Sequence, residues 1–423
     1  MLALNTTEIE ELQRKLPPSW RLQPLEEVCE INPRRPRIER QPEQLTSFLP
    51  MAGVNDIEGS IDSLEIRQYQ EVARGYTYFE EEDVLFAKIT PCMENGKSAI
   101  ARNLVDGIGF GSTEFHVLRP GPDVLPEWIY RFVRRLSFRQ EAQKHFKGAV
   151  GQQRVPSDFV KLSLIPVPPT LDIQQRIIAR VEALLAEVRS SRELLDEMRR
   201  DCDRLLAVTV NDAFNKLESM AEIVPLATVA TAFNGRAVGE GTSNIRVFKS
   251  KHVYPHSLKM DRPSYMKEDQ AQKMPEDRFL KPGDVLMANA AEGTLGRVSY
   301  VDKCEENWTV DGKIMILRSR DQQDLSSKWL YYYLWSDRGN REVLSRRTGT
   351  AFAENRGQTG ISPTSVLEIP VPKPSINAQN QVVNYLDSVL DESEAMIKLM
   401  DQDAKTLDQL EQAILERAFR GEL

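Results

Sequence analysis

Apolar residues along this chain follow two rhythms, and each rhythm occurs twice. Over residues 171–219 they fall at alternating steps of four and three, at Ile177, Val181, Leu184, Val188, Ser191, Leu195, Met198, Cys202, Leu205 and Thr209. Over residues 375–423 the same steps return at Val382, Leu386, Val389, Ser393, Met396, Met400, Asp403, Leu407, Leu410 and Ile414, each 205 residues after its counterpart. A 3.5-residue repeat held for this many turns predicts a long helix with a seam for another helix, and polar members such as Ser191 and Asp403 can set register. The shared register predicts that the two helices meet each other. Residues 1–170 and 220–374 have a different texture. Short apolar runs such as Asp83–Ile89 and Asp284–Asn289 are punctuated by Gly, Pro and Asn, which predicts short strands and loops with a few helices. Each of these regions closes on Ile-Pro-Val-Pro, at 165–168 and at 369–372. Proline cannot continue a helix, so this tetrapeptide reads as an extended stop before the long helix begins.

The two halves share further landmarks in the same order. Pro24-Leu25-x-x-Val28 returns as Pro225-Leu226-x-x-Val229, Asp83-Val84-Leu85 as Asp284-Val285-Leu286, and Ala213-Phe214 as Ala418-Phe419, at offsets from 201 to 205 residues. The chain is therefore an internal repeat, and its predicted class is α+β: two mixed α/β globular domains and two long helices in a pseudo-twofold arrangement. A helix of about 45 residues spans roughly 65 Å at 1.5 Å per residue. Struts of that kind would hold two similar units a fixed distance apart, as DNA readers require for half-sites roughly 34 Å apart.

Composition narrows the class. A chain of 423 residues exceeds one ordinary core. No run approaches the roughly 18–20 apolar residues of a membrane span, and the polar, acidic start does not read as a signal peptide, so no membrane association and a cytoplasmic location are expected. Cys29, Cys92, Cys202 and Cys304 are scattered without a CxxC pair and read as reduced thiols. Of the four histidines only His252 and His256 are close, and Pro255 between them argues against a helical metal face. The net charge of −8 is unpromising for phosphate binding, but it is unevenly spread. Residues 131–161 hold eight basic side chains against two acidic ones, while residues 382–416 hold nine acidic against two lysines. Acid lies on a helix and base on a globular segment, which permits a nucleic-acid face on the latter.

Catalytic motifs are missing. Asn32-Pro33 is followed by Arg34-Arg35, so the Asn/Asp-Pro-Pro-aromatic motif of amino-methyltransferases is not formed. Gly96-Lys97-Ser98 resembles the end of a phosphate loop, but Pro91 stands where its first glycine belongs. Gly107 to Gly111 precedes Ser-Thr-Glu-Phe rather than an obvious helix, which weakens a dinucleotide reading.

Several segments together resemble the specificity subunit of type I restriction–modification systems over nearly the whole length. They are Trp20 with Pro24-Leu25-x-x-Val28, the run Asp83–Lys97, Gly109-Phe-Gly-Ser-Thr-Glu-Phe115, both Ile-Pro-Val-Pro junctions, and Ala413–Leu423 with its Ala-Phe-x-Gly-Glu-Leu ending. The first half departs from that ending, since Ala213-Phe214 is followed by Asn215-Lys216-Leu217. The resemblance implies two target recognition domains, each reading one half of a split site in double-stranded DNA, with the long helices paired as an antiparallel coiled coil that sets the spacer. It also implies two methyltransferase subunits and two motor–nuclease subunits as partners. S-adenosylmethionine, ATP and Mg2+ would be used by those partners, with no cofactor and no catalytic residue in this chain. Two rivals remain open at this point, a coiled-coil scaffold that assembles partners without reading bases, and an enzyme with a cryptic nuclease site.

Base readout calls for Arg or Lys toward guanine, Asn or Gln toward adenine, and Ser or Thr toward either. In the first domain the candidates are Lys88, Thr90, Asn95 and Lys97, with Lys147, Gln152, Gln153 and Arg154 in the glycine-rich stretch. In the second they are Asn289, Glu292, Thr294 and Arg297, with Arg346, Arg347, Thr348, Asn355, Arg356 and Gln358. For each residue alone the plainer alternative is an exposed loop side chain. The basic segment Arg131–Arg139 has helical spacing and reads equally as a phosphate contact or a solvated face.

Overall fold

The computed structural model describes residues 13–149, 152–217, 221–237, 239–254, 258, 264–290, 293–348 and 360–423. It divides into two compact units. Unit 1 comprises Met1–Leu195 with Gln402–Leu423, and unit 2 comprises Asp196–Asp401. The division falls inside both long helices, not at their ends, because each end of each helix packs onto a globular unit.

In unit 1 the strands Cys29–Ile31, Phe115–Pro120, Val84–Ala87 and Ser98–Ile100 form an antiparallel sheet in that spatial order. A second sheet orders Glu65–Gln68, Leu45–Leu49, Ile108–Gly111 and Thr77–Glu80, with its two central strands parallel. The four residues Val84–Ala87 are all buried because the strand has core on both faces. Val84 and Phe86 enter the cluster under the helices, while Leu85 joins Leu49 and Phe79 toward the second sheet. That division is the two-residue period of a strand. Gly109 is required here, since a Cβ would lie 2.3 Å from the Phe79 ring.

Unit 2 repeats the plan. Ala230–Asn234, Ile314–Ser319, Val285–Ala288 and Val298–Tyr300 form the matching sheet, and Ser264–Tyr265, Arg246–Phe248 and Trp308–Val310 a smaller second one. Each Ile-Pro-Val-Pro contributes to a strand, Leu164–Val167 against Arg21–Pro24 and Pro370–Lys373 against Glu222–Pro225. The carbonyls of Pro166 and Pro372 accept the indole N–H of Trp128 and Trp329, each at 2.8 Å. In both units a buried glutamine pins the start of a long helix. Gln174 accepts from Leu125 N at 2.9 Å and donates to Asp123 O at 2.9 Å. Gln379 accepts from Ser326 N at 2.9 Å and donates to Asp324 O at 3.0 Å.

The long helices run Leu171–Leu217 and Ile376–Phe419. In unit 2 Arg199 pairs with Asp401 and the Cys202 sulfur lies 3.3 Å from that of Met396, so the helices run antiparallel there. In unit 1 Arg192 bonds Asp408 and Glu411, each at 2.8 Å. Their burial corrects the expected seam. Ile177, Val181 and Val188 are buried as expected, Leu184 is half-buried beside the buried Leu185, and full burial resumes at Leu206, Val210 and Phe214. Between Val188 and Leu206 the less exposed positions are Arg192, Leu195 and Cys202, with Thr209 beyond, so alternating steps of four and three persist while the alternate members lie one residue later than expected. Leu205, on the expected series, is 62% exposed while Leu206 is 2% exposed. On the second helix Leu386 and Met400 are buried and Val382, Val389 and Leu407 half-buried. Met198, Met396 and Leu410 are exposed and Leu195 is half-buried, because a two-helix stretch without a third layer covers only a narrow strip.

The helix ends complete the cores. Phe419 lies 4.4 Å from Trp128 between ring centroids, and Phe214 lies 4.6 Å from Trp329. Among the described residues no helix is long and apolar enough to cross a membrane.

Candidate nucleic-acid interface

The strand Val84–Ala87 leads out of the core of unit 1 into residues 88–97, and residues 147–155 return across it. Lys88 N donates to Glu114 O at 2.9 Å, and Val155 N donates to Lys88 O at 2.9 Å. Thr90 N donates to Gln153 O at 3.0 Å, and Lys147 and Arg154 exchange two backbone bonds of 3.0 and 2.9 Å. Unit 2 builds the same frame. Asn289 N donates to Lys313 O at 3.0 Å, Ile361 N to Asn289 O at 2.9 Å, and Thr348 and Gly360 exchange bonds of 2.9 and 3.1 Å. The equivalent positions are therefore Lys88 and Asn289, Glu114 and Lys313, Lys147 and Thr348, Arg154 and Gly360. Backbone groups hold the frame in both units.

His116 supports this frame from below. Its Nε2 donates to Val155 O at 2.8 Å, and its Nδ1 accepts from the Asn32 side chain at 3.1 Å. Both nitrogens are thereby used by the neutral ring, and burial pushes the imidazole down to about 4. Asn32 also accepts from Val117 N at 3.0 Å, so the residue that opens Asn-Pro serves the fold.

The predicted readers separate into groups. Lys88, Thr90, Lys147, Gln152, Gln153 and Arg154 converge on the frame of unit 1, and Lys147 and Gln152 are exposed. The Thr90 hydroxyl is engaged with Glu94. Arg154 grips Glu114, which holds that carboxyl below the usual carboxylate range. Lys97 is a correction: its ammonium donates to Met51 O at 3.2 Å and Val54 O at 2.7 Å, tying the turn that follows the strand Leu45–Leu49 to the loop. Asn95 is exposed but faces Asp56, away from the frame. Asn289 is a second correction, being buried, with its amide donating to Asn234 at 2.7 Å and Gly312 O at 3.3 Å. Arg346 is held by Glu342 at 2.6 Å and donates to Glu368 O at 3.3 Å. Arg297 lies exposed over the Tyr254 ring, Thr294 turns toward it through a backbone bond, and Arg347 and Thr348 are exposed. Glu292, Asn355, Arg356 and Gln358 lie outside the described residues. Glu114, Lys313 and Gly360 were missed; only contacts between distant segments reveal them.

The basic segment Arg131–Arg139 is neither a phosphate face nor a solvated one. Arg131 bonds Glu182 at 2.9 Å. Arg134 is buried on the carbonyls of Gly96, Asp56 and Ile57 at 3.1, 3.3 and 2.6 Å. Arg135 reaches Glu416 at 3.3 Å and lies over the rings of Phe132 and Phe419. Burial pushes Arg135 down to about 10, still a cation at neutral pH. Arg139 donates to Glu94 O at 2.5 Å. All four guanidiniums thus serve contacts within unit 1. Among the described residues no group of three or more His, Cys, Asp or Glu could hold a metal ion.

One backbone frame thus occurs twice with different side chains, so the chain is a two-module repeat. Residues 17–200 match the family described as type I restriction modification DNA specificity domain. The chain is 36% identical over 219 residues to the type I restriction enzyme EcoAI specificity subunit of Escherichia coli, a match covering 50% of this chain and 36% of that protein. It thus spans little more than a third of that relative. It is 23% identical over 402 residues to the StySPI specificity subunit of Salmonella potsdam, covering 89% of this chain and 82% of that one. A chain from work on complex assembly and conformational transition of the type I R-M system has a TM-score of 0.72 at 24% identity, covering 96% of this chain and 99% of that chain, which shows a shared fold. Residues 17–200 of this chain are thus similar to that DNA specificity domain, and the relatives it matches are type I restriction enzyme specificity subunits.

Proposed function

We propose that this chain is the DNA-reading specificity subunit of a type I restriction–modification complex. Unit 1 reads one half of a split double-stranded target and unit 2 reads the other. The paired helices set the spacer, and their exposed apolar side chains, such as Leu194, Leu205 and Leu399, offer surface to partner subunits. The chemistry belongs to those partners: two methyltransferase subunits using S-adenosylmethionine, and two motor–nuclease subunits using ATP and Mg2+. The observation that carries this reading is the repeated frame, one backbone hydrogen-bond pattern presenting Lys88, Glu114, Lys147 and Arg154 in one unit and Asn289, Lys313, Thr348 and Gly360 in the other. A scaffold that only assembled partners has no use for two different edges, whereas two half-sites require them.

Methylation mapping by long-read sequencing, in cells carrying this chain with its methyltransferase partner, tests the proposal. The expected result is a single split motif with a fixed spacer that disappears when the chain is deleted. No chain-dependent motif, with the partner active beside another specificity chain, would refute it.

A further inference from the structure

Arg154 is held in an unusual way for a surface arginine. Its Nε and Nη2 donate to the two carboxylate oxygens of Glu114 at 2.9 and 2.8 Å, and its Nη1 donates to Gln152 O at 2.9 Å. A guanidinium has five N–H bonds. Three are engaged, which leaves one on Nη1 and one on Nη2. The side chain is 40% exposed, so this remaining pair is open to a ligand.

Charge narrows what that ligand is. A carboxylate against the guanidinium neutralises it, and a phosphate brought to the pair would meet the Glu114 charge as well. The two directional donors are unaffected by that neutralisation. Guanine offers two adjacent acceptors, O6 and N7, on its major-groove edge, and a bidentate arginine is their commonest specific partner. The fixed geometry also removes most of the entropy cost of ordering a long side chain on binding. In unit 2 the same backbone position is Gly360, and Lys313 replaces Glu114, so these two positions form no such fork.

We infer that Arg154, positioned by Glu114, reads a guanine in the half-site taken by unit 1, and that unit 2 lacks this contact. The inference rests on the DNA-reading function proposed above. Glu114 touches no base and acts through Arg154.

Methylation mapping with the full-length chain and its partner tests it with Arg154→Gln, Arg154→Lys and Glu114→Gln. Both Arg154 variants are expected to accept other bases at one guanine position of one half-site, with discrimination there reduced about 5- to 150-fold and the other half-site unchanged. Glu114→Gln is expected to relax the same position more weakly. An unchanged motif in Arg154→Gln would overturn the inference. So would a uniform fall in methylation in Arg154→Gln with full rescue by Arg154→Lys, the signature of a phosphate contact. If Arg154→Gln abolishes both half-sites through misfolding, the double variant Lys313→Glu with Gly360→Arg decides. A Cβ at Gly360 meets only Asn289 O at 3.4 Å, an ordinary contact. A new guanine requirement in the other half-site supports the inference, and an unaltered one overturns it. If the wild-type chain directs no split motif, the proposed function itself fails, an outcome distinct from all the others.

Discussion

Phe419→Ala should selectively loosen unit 1. The ring is 2% exposed and packs 4.4 Å from Trp128 and 5.6 Å from Phe132, with the Arg135 guanidinium 4.8 Å from its centroid. Removing a buried phenylalanine costs about 3–5 kcal/mol, from lost transfer energy and the cavity left behind. A domain has only about 5–15 kcal/mol of stability, so much of that of unit 1 is at stake. Hydrogen exchange read by mass spectrometry on the full chain separates the units. Peptides covering Val84–Ala87 and Phe115–Pro120 should exchange at least about a hundredfold faster, the rate equivalent of a 3 kcal/mol loss. Peptides covering Val285–Ala288 should not change. Phe214→Ala, whose ring lies 4.6 Å from Trp329, should reverse the pattern. A loss below about 1 kcal/mol, or an equal loss in both units, would refute the idea that each unit closes its core with its own phenylalanine.

Acid should weaken unit 1 through His116. Its folded-state value of about 4 lies below the ordinary 6.5, so the unfolded chain binds the proton first. The stability contributed by the neutral ring is present above about pH 6.5 and is lost as pH falls toward 4, in total about 3 kcal/mol. Urea unfolding across that range should show the loss, and His116→Gln should flatten it; parallel pH profiles would count against the assignment. On the first long helix, Leu206→Glu should destabilise unit 2 by more than about 3 kcal/mol while Leu205→Glu stays within about 0.5 kcal/mol. Equal effects in thermal unfolding would contradict the assignment of Leu206, not Leu205, to the buried face.

Much of this architecture is legible in the residues. The repeated landmarks and the proline stops announce two similar units, and the 3–4 spacing announces the long helices. The exact helix face is not legible, because apolar residues occur at both Leu205 and Leu206 and only the packing partner chooses between them. Basic residues misled for a related reason. Arg134 and Arg135 have the spacing of a surface face, yet carbonyls, a distant glutamate and aromatic rings draw them inward. Lys97 and Asn289 look like readers on a strand–loop, but each fastens that loop to segments tens of residues away. The Arg154–Glu114 fork spans 40 positions of sequence, beyond the reach of any local pattern.

Unit 1 draws its core from two stretches of chain separated by the 206 residues Asp196–Asp401, which all belong to unit 2. During synthesis at roughly 5–20 residues per second, that interval lasts about 10–40 s. Throughout it, Trp128 and Phe132 lack the phenylalanine that covers them, and by its end unit 2 has all of its own residues. The order of completion is therefore the reverse of the order in which the units begin, and the ribosome itself delays the moment at which unit 1 can mature.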